Sequence, residues 1–298
     1  MSKVGFWLRG SKGKLGDSYL SKGPDGATVQ HVIGEVKNPR SIAQMQQRMV
    51  MATAMAAYAG MKEIVDHSFE GVTYSQATMS TFISYNAKML RESLLSGNSN
   101  IAFNPYQDRS LYPNPYIVSK GSVNHNLIIN VDGSLGSVIP FSLGFVEVDL
   151  ETITVAEWLK HIGVSLNSYL TILCVAYSPE TKIHQFGWIR LTPSGQDLDL
   201  LMSTVKLDEV FDIESNVPTG DFAVTFDPDH FNVDFDFDQG GIKYCSYAVI
   251  LSEKQLSWKR STEKMNVYVE SPYTPPTPAE SLATYPVGTD YVLNGGNV

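Results

Sequence analysis

Cysteine and long apolar runs are both scarce in this chain of 298 residues. Two cysteines, Cys174 and Cys245, are too few for a disulfide framework or a structural zinc site. No apolar run approaches the ~18 residues that a membrane span needs. The start of the chain holds too few apolar positions for a signal-peptide core. We therefore expect a protein with no membrane partner, made in the cytoplasm and not exported by a cleaved signal.

Recognisable catalytic motifs are also missing. The glycine–lysine cluster at residues 10–16 lacks the spacing of a phosphate-binding loop, since Lys14 is followed by Leu15 instead of Ser or Thr. No two of the six histidines have the i, i+4 spacing of a helical zinc site, and no Gly-x-Ser-x-Gly elbow occurs. Cys174 and Cys245 lie in apolar β-type runs, which favours inert core positions. These absences predict a non-enzymatic protein without a cofactor.

The net charge of −9 is distributed unevenly along the chain. Residues 1–48 hold eight of the 22 basic and three of the 31 acidic side chains, so this segment carries +5. The other 250 residues hold 14 basic and 28 acidic side chains and carry −14. A basic arm on an acidic body indicates contact with nucleic acid or with an acidic neighbouring subunit. The candidate contact residues are Lys12, Lys14, Arg40 and Arg48.

The same basic residues also allow a plainer interpretation. If one helix contains both Arg40 and Arg48, they lie about 80° apart around its axis and can converge on one acidic surface or phosphate run. Alternatively, Arg40 satisfies backbone carbonyls at a turn and Arg48 pairs with a surface acid. The lysines would then only keep a glycine-rich hairpin in solution. The sequence leaves both interpretations open.

Residues 1–37 have the composition of short strands and tight turns. The segment Gly23-Pro24-Asp25-Gly26 predicts a turn, and the residues on either side of it, 18–20 and 27–33, have strand composition. We therefore expect a β-hairpin in a basic, glycine-rich arm. An arm of this size cannot bury an apolar face alone, so it must lie on the body or on another subunit.

A helical hairpin is predicted for residues 38–97. A capping box, Ser41 with Gln44, and apolar residues at three- and four-residue spacing predict a first helix that ends near Asp66. A second helix is predicted from about Ser75 to Ser96. The linker between the helices is short enough for an antiparallel pair.

Residues 98–271 are predicted to form a β-rich body, which begins with an ordered loop and contains one short helix. The helix starts at a second capping box, Thr154 with Glu157, and runs to Gly163. The predicted strands are at residues 116–119, 126–131, 171–177, 184–191, 222–226, 233–237, 244–251 and 266–269. Strands separated by turns in this way are typical of a sandwich or a barrel.

The last segment, residues 272–298, is rich in proline and low in charge, which predicts an extended tail with no fold of its own. With the tail, the four segments define the expected fold class. It is α+β: an N-terminal β-hairpin arm and a helical hairpin, followed by a mainly antiparallel β-sandwich or barrel body.

An acidic run near residue 234 is the sharpest local feature of the body. Asp234, Asp236 and Asp238 alternate with Val233, Phe235 and Phe237. Closely spaced carboxylates are ligands for calcium or magnesium, although the order of an EF-hand loop is absent. A strand also explains the run, with the three aspartates facing water and the apolar residues facing the core. A row of like charges on such a strand discourages edge-to-edge aggregation or pairs with a basic partner.

Several short motifs lie within about the first 125 residues. They are Lys12-Gly13-Lys14-Leu15-Gly16, Asn38-Pro39-Arg40-Ser41, Gln44, Gln47-Arg48, Ser84-Tyr85-Asn86 and Ser119-Lys120-Gly121. In these motifs the chain resembles an uncharacterised family of small proteins found in Bacteroidota genomes and their phages. The resemblance carries over no catalytic residue and no established activity. It implies a phage or mobile-element setting.

These observations lead to one preferred function and two alternatives. We expect a virion structural protein, a capsid or tail component, that is made in the host cytoplasm and then incorporated into the virion. It would assemble with further copies or other virion proteins through its arm, helices and tail, as arms that add strands to a neighbour do. The first alternative is a nucleic-acid-binding protein that uses the basic arm. The negative charge of the body is an argument against this alternative, because it repels phosphate. The second is a carbohydrate-binding adhesin, suggested by 15 Tyr and 4 Trp.

Overall fold

The chain divides into two compact units. The computed structural model describes residues 2–3, 13–15, 18–22, 28–32, 40–72, 75–97, 101–145, 148–149, 151–219, 221–226, 230–237 and 240–287. A terminal unit comprises Met1–Ile42 together with Val287–Val298, and a main unit comprises Ala43–Pro286.

The elements are numbered in chain order. The helices are α1 (Ile42–Val65), α2 (Ser75–Ser96), α3 (Val155–His161), α4 (Leu207–Val210) and α5 (Pro278–Ala283). The strands are β1 (Ser2–Lys3), β2 (Gly13–Leu15), β3 (Ser18–Lys22), β4 (Thr28–Val32), β5 (Ile117–Ser119), β6 (Ile128–Val131), β7 (Val138–Gly144), β8 (Ser168–Ser178), β9 (Ile183–Pro193), β10 (Phe211–Asn216), β11 (Phe222–Phe226), β12 (His230–Asp236), β13 (Tyr244–Lys254), β14 (Trp258–Arg260), β15 (Glu263–Lys264) and β16 (Asn266–Val269). Together they form a mixed α+β fold.

The terminal unit contains a four-stranded antiparallel sheet in the order β1-β4-β3-β2. Its centre is the predicted hairpin, in which Ser18 pairs with Val32 and Lys22 pairs with Thr28. The turn residues 23–26 lie outside the described residues. The hairpin is therefore confirmed in its strands, and it is part of a larger sheet than expected.

The two long helices form the predicted antiparallel pair. Gln47, near the start of α1, accepts a hydrogen bond from Arg91, near the end of α2, at 2.9 Å. Tyr58 and Phe82 meet halfway along, with ring centroids 5.9 Å apart. Both helices end within one residue of the predicted positions. None of the described helices is both long and apolar enough to cross a membrane.

Two antiparallel sheets face each other in the main unit. One has the order β10-β9-β8-β13-β14, with β16 also paired to β13, and the other has the order β11-β12-β7-β6. Their facing side chains share one buried core. Phe141 of β7 and Tyr247 of β13, for example, lie 5.0 Å apart across it. The described strands stay in separate sheets and do not close into a barrel.

The helical hairpin covers the other face of the six-stranded sheet. Leu173 and Val175 of β8 and Ile250 of β13 are buried in a second core with Met61 of α1 and Phe82 of α2. Layers on both faces explain why β8 and β13 are buried along nearly their whole length. A strand covered on both faces has a continuous apolar sequence instead of an alternating one.

The predicted strands are all present, but four strands of the body were missed: β7, β10 and the short strands β14 and β15. β7 was missed because Pro140, which has no N–H to donate, interrupts its apolar pattern. β10 was missed because Asp212 and Glu214 make it appear to be a polar loop. Its pairing to β9 is nevertheless complete from Phe211 to Asn216. In both cases the partner strand supplies the structure that local composition does not indicate.

Local signals inside the body were interpreted correctly. The capping box at α3 is present in both directions, with the Thr154 hydroxyl accepting from the Glu157 N–H and the Glu157 side chain accepting from the Thr154 N–H. Residues 101–116 form the predicted ordered loop. It is held by the fully buried Asn114, whose amide donates to the Ala102 carbonyl (2.8 Å) and accepts from the Ala102 N–H (2.9 Å).

The predicted extended tail is wrong for residues 278–285. Thr277 and Glu280 form a third capping box, with Pro278 in the first turn of α5. The helix packs on its own chain, where Ser281 donates to the Phe103 carbonyl at 2.8 Å and Tyr285 donates to the Asn104 carbonyl at 3.0 Å. Tyr285 is buried there, so this part of the tail belongs to the core of the main unit. Residues 288–298 lie outside the described residues.

Candidate functional site

The predicted basic contact residues are only partly described. Lys12 lies outside the described residues, and Lys14 is described only as a backbone position of β2. Arg40 is exposed just before α1, with a positive φ of 49°, and belongs to the terminal unit. Arg48 is exposed on α1 in the main unit. Because α1 begins at Ile42 and Arg40 has a non-helical φ, one helix does not contain both arginines, and the 80° arrangement predicted for that case does not apply.

The acidic run has the alternation predicted for a strand. Val233, Phe235 and Phe237 are buried in the core between the sheets, while Asp234 and Asp236 are half-buried on the other face of β12. Partial burial raises the pKa of Asp234. The strand lies between β11 and β7 and is not at an edge of its sheet, so protection against edge-to-edge pairing does not apply to it.

The metal interpretation of that run finds no support in the geometry. Among the described residues, no three His, Cys, Asp or Glu side chains are close enough together to hold an ion. The third predicted ligand, Asp238, lies outside the described residues.

A groove of about 550 Å³ beside α1 contains one of the predicted residues, Arg48. Its floor is a stripe of α1 in which small side chains leave space, namely Ala52, Ala56 and Ala59. Met55, 53% exposed, lies along the same stripe. The opposite wall is formed by residues 106–109 and by Tyr285 of the docked tail.

Two arginines give the groove a positive rim. Arg48 and Arg109 are both exposed, and neither forms an ion pair within the described part of the chain. Thus the surface acid predicted as the partner of Arg48 is not found among these residues. The nearby Asp108 also lines the groove but forms no ion pair with either arginine; its carboxylate accepts hydrogen bonds from the Ser110 N–H (2.9 Å) and the Tyr112 hydroxyl (3.0 Å).

Asp108 remains charged despite its burial. Burial alone would raise the pKa of its carboxyl, but the hydrogen bonds from Ser110 and Tyr112 outweigh that effect and hold the pKa below its ordinary value. Its negative charge therefore lies in the wall of the groove, beside the two arginines.

An aromatic platform adjoins the arginines. Tyr106 is 43% exposed, and its ring meets that of Tyr285 edge-on at 5.4 Å. The Tyr106 N–H donates to the Thr284 hydroxyl at 2.7 Å, and the Tyr285 hydroxyl is bound to Asn104. Both rings are thus held in place by the tail that the sequence predicted to be unstructured. The groove combines guanidinium groups, a fixed aromatic edge and an apolar floor.

A half-buried histidine lies among the tyrosines behind this groove. The His184 ring stacks on Tyr177 at 4.4 Å and meets Tyr112 at 4.3 Å. Burial lowers the pKa of His184 to about 4, although the charge of Asp108 opposes the shift. The imidazole is therefore neutral at neutral pH.

These buried groups do not form a nucleophile–base pair. Cys174 and Cys245 interact with each other inside the core between the sheets, and burial raises the pKa of the Cys174 thiol. Both cysteines are thus the inert core residues that were predicted. A reactive cysteine requires a lowered pKa and access to solvent, and Cys174 has neither.

The sequence did not predict a stack of arginines and aromatic rings on the six-stranded sheet. Arg190 lies 4.8 Å from the ring centre of Tyr169 and 5.0 Å from that of Trp188. Arg260 lies 5.0 Å from Trp258 and 5.9 Å from Tyr169. Because arginines lie over these rings, the stacked faces are not free to bind a sugar. The stack joins the neighbouring strands β8 and β9 to the distant strand β14, so only the pairing and register of the sheet reveal it.

Two of the short sequence motifs meet in space. From Ser84-Tyr85-Asn86, the Tyr85 ring stacks on Phe69 at 6.2 Å and lies 4.4 Å beneath the ammonium of Lys120, from Ser119-Lys120-Gly121. Asn86 is fully buried and clamps β5, since its amide donates to the Ile117 carbonyl (3.0 Å) and accepts from the Ile117 N–H (2.8 Å).

The second motif continues this junction. Ser119 is fully buried, with its hydroxyl 2.6 Å from the Ser261 carbonyl. A Cβ atom at Gly121 would lie 2.1 Å from the Arg260 carbonyl oxygen, so only glycine fits there. Both motifs therefore stabilise the contact between the helical hairpin and the sheet, and neither presents a cluster of reactive groups.

Comparisons with known proteins add no family. A scan against protein-family models and a search of curated proteins found no match to this chain.

Proposed function

We propose that the chain is a non-enzymatic virion structural protein, a capsid or tail component that assembles with further copies of itself or with other virion proteins. It would be made in the host cytoplasm and then incorporated into the virion. The resemblance noted in the sequence supports the phage setting.

The observation that carries the proposal is the small, oppositely charged terminal unit. Its strands are two to five residues long, and a sheet of this size needs an apolar surface to cover one face. The terminal unit has seven basic and four acidic residues, or +3, which leaves 15 basic and 27 acidic residues, or −12, on the main unit. The acidic surface of a neighbouring copy is therefore a favourable site for it.

Light scattering coupled to size exclusion tests this proposal on the full-length protein. We expect an oligomer whose mass falls when residues 1–36 are deleted and when salt screens the attraction between the units. Removal of residues 288–298 is the matched deletion at the other end, because it leaves the docked helix α5 intact. Negative-stain microscopy then reveals whether the oligomer is a ring, a tube or a shell. A full-length protein that stays monomeric at high concentration and moderate salt would contradict the proposal.

The arginine-rimmed groove favours a second candidate, a nucleic-acid-binding protein of the same phage or mobile element. Arginines with no ion pair among the described residues, beside an exposed tyrosine, are groups that can hold a phosphate and stack a base in single-strand binding. The charge of −12 on the main unit works against a long polyanion, so contact would be confined to this groove and to the basic arm.

Fluorescence anisotropy with a labelled oligothymidylate tests the second candidate. We expect Arg48→Ala with Arg109→Ala to weaken binding and to reduce the slope of log affinity against log salt by about one per lost phosphate contact. The matched control is Arg91→Ala, since Arg91 is a helix arginine that already binds Gln47. A separate variant replaces Lys12, Lys14 and Arg40 with alanine. Binding unchanged in both variants removes this candidate.

A further inference from the structure

A single leucine protrudes at the apex of the β13–β14 hairpin. The turn is closed by the Gln255 N–H, which donates to the Ser257 carbonyl at 3.1 Å and leaves Leu256 between them. Leu256 is 109% exposed, more than in an extended reference chain, and Trp258 beside it is 42% exposed. An apolar side chain presented in this way gains free energy from any contact that removes it from water.

An apolar hollow of about 400 Å³ lies beside α3, at the base of the same hairpin. It is lined mainly by Ala156, Leu159, Gly163, Val164, Leu166 and Leu198. Leu159 and Val164 are buried at its floor, whereas Leu166 at its rim is 50% exposed. Gly163, at the end of α3, has a φ of +83°, and a Cβ atom there would lie 3.3 Å from the backbone of His125. The space is ample for one leucine side chain.

The hairpin and the hollow are neighbours on one surface. The Lys254 N–H donates to the Asn167 carbonyl at 2.8 Å, and Glu253 pairs with Ser168 across β13 and β8. The hairpin base therefore adjoins residues 165–167, which begin at the wall of the hollow. The full exposure of Leu256 means that it does not occupy the hollow of its own chain.

One pair of opposite charges lies beside these two features, although the hairpin also carries Lys254, Lys259 and Arg260. Lys160 is the charged residue that lines the hollow, and it is exposed. Glu253, two residues before the turn, is the one acidic residue of the hairpin from Tyr244 to Arg260. A copy that places its Leu256 in the hollow of another copy also brings its Glu253 toward that copy's Lys160.

We propose that two copies of the chain dock reciprocally, with Leu256 of each seated in the hollow beside α3 of the other. Leu256 and the hollow are adjacent on one surface. A twofold axis between them therefore places Leu256 of each copy in the hollow of the other, and the two equivalent contacts form a closed dimer interface. This inference rests on the self-association proposed above, and it names the surface involved. Trp258 and Leu166 lie at the rim of the same contact, where tryptophan is a frequent interface anchor.

Sedimentation equilibrium of the full-length protein tests the contact. We expect Leu256→Glu to raise the dissociation constant of the dimer by at least about 100-fold. Each buried leucine accounts for about ten-fold or more, and a twofold interface contains two of them. The matched control is Leu95→Glu, since Leu95 is 79% exposed near the end of α2 and should leave the dissociation constant unchanged. Circular dichroism confirms that both variants fold.

A charge exchange provides the second measurement. Lys160→Glu and Glu253→Lys should each weaken the dimer several-fold, because each places like charges opposite one another. The double variant should restore the affinity. Restoration requires that the two residues face each other between copies. If each single variant were only less stable, the double variant would not recover the affinity.

The outcomes separate this inference from the proposed function. A wild-type oligomer that Leu256→Glu leaves unchanged overturns the hairpin contact and leaves self-assembly through other surfaces standing. A double charge variant that is no tighter than the two single variants overturns the Lys160–Glu253 pairing and, with it, the twofold arrangement. A wild-type protein that is monomeric overturns both the contact and the proposed self-assembly.

Discussion

Replacement of Asn86 by alanine is expected to be one of the most damaging single changes in the helical hairpin. The side chain is fully buried on α2, yet it makes no apolar contribution that alanine could replace. It binds both backbone groups of Ile117 in β5, at 3.0 and 2.8 Å, and its amide also approaches the Phe82 carbonyl at 3.0 Å. Thus one side chain connects a helix to a strand whose single partner among the described strands is the short β15.

The magnitude follows from the groups left without partners. The Phe82 carbonyl keeps its bond within the helix, so the loss falls on the N–H and C=O of Ile117. Each unsatisfied, partly buried backbone group costs about 1–2 kcal/mol. Alanine is a better helix former than asparagine by roughly 0.6 kcal/mol, which offsets part of this loss. The net expectation for Asn86→Ala is a loss of about 1.5–3.5 kcal/mol in the free energy of unfolding.

Urea unfolding followed by circular dichroism measures this loss. The matched control is Ser84→Ala, an exposed position on the same helix, for which we expect a change within about 0.5 kcal/mol. If Asn86→Ala unfolds at the same urea concentration as the wild type, the clamp on β5 does not contribute to stability. The structural account of the Ser84-Tyr85-Asn86 motif would then be refuted.

Three further substitutions test the tail, the half-buried histidine and a helix cap. Tyr285→Phe should lower the free energy of unfolding by about 1–2 kcal/mol, because the Asn104 carbonyl loses its donor, and an unchanged melting temperature would mean that the tail is not docked. The pKa of His184 is about 4 in the folded protein, so only the unfolded chain binds its proton between pH 6.5 and 4, and stability should fall as pH falls through this range. This fall should be shallower in His184→Gln than in the wild type, as measured by urea unfolding at each pH. Thr154→Ala removes the cap of α3 and should cost about 1 kcal/mol in the same assay, and no loss would contradict the capping geometry.

The elements that local sequence signals specify were predicted well. Helix α1 follows from apolar spacing, and α3 follows from a capping box, and both depend on contacts within a few residues of the chain. The alternation in β12 likewise identified which side chains face the core before the sheet was known. α5 had an equally local signal, Thr277 with Glu280, which the proline content around it obscured.

The layered arrangement and the surfaces depend on contacts between distant parts of the chain. Periodicity identifies an apolar face but not the element that covers it, so the helical hairpin on the outer face of the six-stranded sheet could not be predicted. The groove at Arg48 requires Tyr285, more than 200 residues away in sequence, and the Arg190 stack requires the register of β8 and β9. Such features form only when the whole chain folds around its core. The burial of apolar surface has no preferred direction and does not depend on how far apart two residues are in the sequence. The sequence alone determined α1, α2 and α3, most of the strands and the charge distribution, whereas the tertiary structure decided the docking of the tail and the position of each arginine.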